Sequence, residues 1–169
     1  MMEYIRIPEY LSGQVCGIVV FLPEPQSYQP MDRVPLVQSI LHAVNNSLAK
    51  KGNAFLIPLC DAHNIYAARV LLHMRKRHRN IRLSVIASAD EDTIGSSLAM
   101  RVAVEHIEAL ADHVLRLDMP IEDFPIQVAM RSDQLIVYTI KDYAPFVAFQ
   151  DDVQYIDCPC SMKTLLKDS

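Results

Sequence analysis

The chain predicts an α/β fold: a three-layer, Rossmann-like, doubly wound arrangement with a mostly parallel sheet of about five core strands. Short apolar runs rich in β-branched residues alternate with segments whose apolar positions recur every three or four residues. The runs are apolar throughout, as in strands covered on both faces. The segments between them are long enough for helical, right-handed crossovers. A length of 169 residues, 51% of them hydrophobic, fits a single domain with a sizeable core, running from about residue 15 to about 157, with peripheral termini.

The first core strand is Val15 to Leu22 (VCGIVVFL), stopped by Pro23, Glu24 and Pro25. From Asp32 to Lys51 the positions Val34, Val37, Leu41, Val44 and Leu48 define an amphipathic helix, with Asp32 as N-cap, Pro35 in the first turns and Gly52 beyond the end. Asn53 to Leu59 is a second strand, Ile65 to His78 a second helix, and Ile81 to Ala87 a third strand. Thr93 or Ser96 caps a third helix running to about Ala111, along which Leu98, Val102, His106, Ile107 and Leu110 share a side. A fourth strand is His113 to Leu117. Pro120 and Pro125 make Met119 to Met130 a loop with a weak helix around Ile126 to Arg131. Gln134 to Ile140 is a fifth strand, while Phe146 to Phe149 and Val153 to Ile156 are shorter strands or extended loop.

Composition narrows the function classes. A net charge of −4, from 16 basic and 20 acidic residues, lacks the positive field for binding nucleic acid through its backbone. The basic run Arg75, Lys76, Arg77, His78 and Arg79 falls at a helix C-terminus, where cations complement the macrodipole. No apolar run reaches the roughly 18 to 20 residues of a membrane span. The opening MMEYIRIPEYL has neither a basic leader nor a long apolar stretch. Four cysteines, Cys16, Cys60, Cys158 and Cys160, are too few for a disulfide scaffold and read as free thiols. The expectation is a cytoplasmic protein with no membrane partner.

In an open parallel sheet, ligands lie outside the carboxyl ends of the strands where the strand order reverses. That rule selects the loops Pro23 to Pro30, Pro58 to Asn64, Ser88 to Gly95 and Thr139 to Pro145. The ligand-binding candidates are Glu24, Cys60, Asp61, His63, Asn64, Ser88 and Thr139. A nucleotide-like small molecule is the expected class of ligand for such a frame.

Phe55 to Ser88 resembles the YpsA-like branch of the SLOG superfamily, which includes the LOG nucleotide phosphoribohydrolases and Smf/DprA. That family has a strand, two glycines four residues apart, an aspartate two further on, and a helix opening with paired alanines. Here the corresponding positions are Pro58, Ala62, Asn64 and the pair Ala67 and Ala68. The likeness extends more weakly to Pro25, to Ala111, Asp112 and His113, and to Ser132 and Asp133. The family's glycine, histidine and arginine at the first turn correspond to Leu22, Pro23 and Glu24, and its arginine and asparagine to Phe124 and Pro125; its late Gly-Gly-Thr turn is absent.

The resemblance implies a Rossmann-type scaffold without its phosphate cradle. Glycine permits close approach of backbone to phosphate, proline at 58 removes a donor, and Glu24 puts a carboxylate where the family has a cation. The implied role is non-catalytic ligand binding or interaction, with self-association through helix faces and no cofactor. The alternative is an enzyme on nucleotides or nucleosides, such as an N-glycosidic hydrolase, with Asp61, His63 or Glu24 recruited as acid or base.

Single residues have two readings each. Asp61 and His63 form an acid/base pair, or Asp61 and Asn64 are capping and turn residues beside a solvated His63. Cys60 is a thiol activated by a helix N-terminus, or a small buried one. Asp90, Glu91 and Asp92 bind a divalent cation, or form the acidic first turn of a helix. The pair Cys158 and Cys160, and the histidine pairs His73 and His78 or His106 and His113, lack metal-site spacing, so no metal is expected.

Overall fold

The protein is described by a computed structural model over residues 15–21, 34–50, 52–89, 97–139 and 153–157. Its strands are β1 (Val15–Phe21), β2 (Ala54–Pro58), β3 (Arg82–Ser88), β4 (His113–Leu117), β5 (Gln134–Thr139) and β6 (Val153–Asp157). Between them run α1 (Val34–Ala49), α2 (Ala62–Arg75), α3 (Leu98–Leu110) and α4 (Phe124–Arg131), the last preceded by a 3-10 turn at Ile121–Asp123. All neighbouring strands pair in parallel, in the order β4-β3-β2-β1-β5-β6. The α/β, Rossmann-like expectation holds, with six strands in place of about five because Val153–Asp157 completes the sheet beside β5.

Alternation along each strand divides the core in two. Ile18, Val20, Phe55, Ile57, Leu83, Val85 and Ile136 face α1, α2 and α3. Val15, Val19, Leu56, Ile86, Leu115, Leu135 and Val137 face Phe124, Val128 and Ala129 of α4. The first four strands step outward in one direction, and β5 then returns to the far side of β1. With right-handed crossovers, that reversal carries the helix before β5 to the opposite face. α4 packs closely on β1: a Cβ at Gly17 would collide with Ser132 Oγ and lie 2.7 Å from Val128 Cγ1.

Aspartates close the amino ends of two strands in the same way. Asp133 donates its N–H to Val15 O and accepts from Val15 N through Oδ2, both at 2.8 Å. Asp112 does the same with Leu83, again at 2.8 Å each way. Asp112 also meets Arg75 Nη1 at 3.2 Å and Arg82 Nη1 at 3.4 Å. The first residue of the basic run therefore has a carboxylate partner, and its Nη2 also donates to Leu110 O at 2.7 Å.

Several expectations need correction. α2 begins at Ala62 and ends at Arg75, three residues earlier at each end than Ile65 to His78, because Asp61 caps it and Lys76 closes its last turn. α3 begins at Leu98 after Ser97, which makes no side-chain cap bond; Thr93, Ser96, Asp32 and Phe146 to Phe149 lie outside the described residues. Most consequential, the residues that the sequence groups on one side of α3 divide between core and surface. Ala103, Val104 and Ile107 are its buried residues, while Leu98 is 74% and Val102 56% exposed. α4 spans Phe124–Arg131 because Pro125 sits in its first turn, where its missing N–H costs nothing.

Candidate functional site

The strand order fixes where a ligand crevice lies. It reverses between β1 and β5, whose carboxyl ends, Phe21 and Thr139, are register partners. Of the loops the sequence selects, those after β1 and β5 flank the switch point. Both lie outside the described residues, and Glu24 with them. Thr139 is buried at the switch point, next to β6, whose Asp157 is its register partner. Ser88 ends β3, also buried, and its carbonyl accepts from Arg116 Nη1 at 3.5 Å. Three strand steps separate β3 from β5, roughly 14 Å, so Ser88 and Thr139 do not meet.

The turn from β2 into α2 holds Cys60, Asp61, His63 and Asn64. Asp61 has extended backbone, φ −158° and ψ 176°, and its Oδ1 accepts from Asn64 N at 2.9 Å. It is the N-cap of α2. Asn64, for which capping was the sequence expectation, stands two residues inside the helix and is fully buried at 0% exposure. Its carboxamide reaches across to β1: Val20 N donates to Oδ1 at 2.8 Å and Nδ2 donates to Val20 O at 2.9 Å. Nδ2 also donates to Asp61 Oδ1 at 2.8 Å and lies 3.5 Å from Cys60 Sγ.

The sheet explains why an amide stands there. β1 registers with β2 only from Val15 to Gly17, whereas its pairing with β5 continues to Phe21. Past Gly17, β1 has no strand partner on its β2 side, and its main-chain groups still require donors and acceptors. The Asn64 carboxamide, with one acceptor and two donor hydrogens, meets both groups of Val20 as a neighbouring strand would.

These bonds decide several readings. Asp61 is engaged with Asn64, and among the described residues no hydrogen bond joins it to the half-buried His63. Burial, followed by the neighbouring Asp61 carboxylate, holds the Cys60 thiol far above its ordinary pKa. It stays protonated, against the reading of an activated nucleophile. Among the described residues no group of three His, Cys, Asp or Glu side chains gathers as metal ligands would. Asp90, Glu91, Asp92, Cys158 and Cys160 lie outside them.

Among the described residues the two ends of the sheet differ in charge. At the carboxyl end, Asp61 is joined by Asp118, Glu122 and Asp123, exposed after β4. The nearby Arg116 is held by Glu108 at 2.8 Å. At the amino end stand Arg75, Lys76, Arg77, Arg79 and Arg82 with Asp112 and Asp133.

No family model matches the sequence, and no curated protein matches it. No helix among the described residues is long and apolar enough to cross a membrane.

Proposed function

We propose that this chain is a divergent SLOG-like domain that retains a Rossmann-type frame without a nucleotide's phosphate cradle, and that it works by binding a partner or a small molecule, not by catalysis. The observation carrying this reading is the Asp61 carboxylate on the first turn of α2. A helix N-terminus attracts an anion through unpaired N–H groups and the macrodipole. Here the chain's own carboxylate takes that position, accepting from Asn64 N at 2.9 Å.

Asn64, at the position where the resembled family has an aspartate, supports the same reading. Both ends of its carboxamide hold Val20, which leaves the group no proton to exchange. The carboxylates at the same end of the sheet add an unfavourable potential for phosphate.

Isothermal titration with AMP, ADP-ribose and NAD tests the proposal. The expected result is no saturable heat with any of them, and no base release in a turnover screen at high protein concentration. Tight binding that is lost in Asp61→Asn would show a working cradle on this turn and overturn the reading.

A further inference from the structure

Helix α3 is apolar on two opposite sides. At about 100° per residue, its buried residues Ala103, Val104 and Ile107 centre on one side. Leu98, Val102 and Ala109 fall within about 40° of one another on the side directly opposite. All three of these are exposed, Leu98 at 74% and Val102 at 56%. A helix on the outside of a soluble domain needs one apolar stripe, and a second one is explained by a second contact.

The charges beside this stripe identify the contact. Arg101 and Glu105 are both exposed, lie along the same edge of the stripe, and have no ion pair among the described residues. In an antiparallel pairing of α3 with its own copy, about a two-fold axis near Ala103, Arg101 of each helix lies opposite Glu105 of the other. The same register brings Leu98 within about 1.5 Å along the seam of Ala109, a large side chain beside a small one, and the two Val102 side chains within about 3 Å of each other along the seam near the axis. A patch complementary to itself is what an isologous dimer requires.

We infer that this face of α3 is a two-fold interface between copies of this chain. At 1.5 Å per residue, the 13 residues of α3 give a seam about 20 Å long. That is short of a standard-size interface, so the expected dimer is weak, with a Kd on the order of micromolar. The seam shares no residue with the β2–α2 turn, so self-association and the absence of nucleotide binding stand or fall separately.

Sedimentation equilibrium of the full chain between about 1 and 200 μM provides the test. The parent should show a monomer–dimer equilibrium. Leu98→Glu with Val102→Glu should remain monomeric throughout with an unchanged circular dichroism spectrum, since both positions are exposed. Arg101→Glu alone should raise the dimer Kd about fivefold through like-charge contacts, and adding Glu105→Arg should restore it. A parent that is monomeric at the highest concentration would overturn the inference. So would a dimer indifferent to the two glutamates, or a charge swap without recovery.

Discussion

Replacing Asn64 by aspartate changes one NH2 group to an oxygen and little else in shape, yet it should be among the most damaging isosteric changes available to this protein. Nδ2 donates to Val20 O at 2.9 Å and to Asp61 Oδ1 at 2.8 Å, inside a site with 0% exposure. The variant loses two donor bonds of about 1 kcal/mol each. If ionised, it also turns an unpaired buried carboxylate toward a carbonyl and a second carboxylate. The total comes to about 3–5 kcal/mol at pH 8. Burial and Asp61 both disfavour the charged form, so the folded variant's carboxyl titrates above the ordinary value of about 3.9. Its folded state then binds more protons than its unfolded state. The deficit relative to the parent is smallest near pH 4, grows with pH by at most about 1.4 kcal/mol per unit, and levels off above the folded pKa. Asn64→Leu, which also strands Val20 N and O, should show a deficit of about 2–4 kcal/mol that does not change with pH. Urea unfolding of all three proteins at pH 5 and pH 8 measures this. An Asn64→Asp protein as stable as the parent at pH 8, or a deficit equal at both pH values, would refute the account of the β1–α2 bridge.

Gly17→Ala should destabilise by about 1–3 kcal/mol, because the added methyl meets Ser132 Oγ and Val128 Cγ1; thermal melts should show part of the loss recovered when Val128→Ala is added. Asp112→Ala should cost about 2 kcal/mol in urea unfolding, by removing the acceptor for Leu83 N and the partner of Arg75. Asp112→Asn, which keeps an oxygen acceptor there, should cost less. Asp61→Ala should cost about 1 kcal/mol through loss of the α2 cap. It should also open the helix N-terminus to external anions, so millimolar phosphate should raise its melting temperature by more than it raises the parent's.

Local patterns carried the strands, and they failed where tertiary geometry decides. The near-continuous apolar runs gave β1, β3, β4 and β5 to within about two residues, because strands buried on both faces leave few polar positions. The face of α3 was not legible: Leu98, Val102 and Ile107 recur at steps of four and five, and periodicity cannot tell which of two apolar sides meets the sheet. Only the packing shows that Ile107 is buried and Val102 is not. Asp61, Asn64 and Cys60 were legible as a cluster, since all precede or open one helix. Their roles were not, because the partner of Asn64 is Val20, 44 positions away in sequence. One signal was available: a polar residue with a two-sided hydrogen-bonding group among Ile65, Ala67 and Ala68 at the start of a buried helix needs a main-chain partner.

A parallel sheet with helical crossovers gathers helix N-termini at the carboxyl ends of its strands, so the fold by its construction draws negative charge to that edge. Nucleotide-binding versions meet the demand with phosphate and keep glycines there so that it can approach. In this chain Asp61 meets it at α2, and Asp118, Glu122 and Asp123 extend the negative edge beyond β4. The C-terminus of α2 is matched in the same internal manner, by Arg75 within its last turn and Lys76 and Arg77 just beyond it. With both ends of that helix compensated by side chains, the frame does not depend on an anion for its stability.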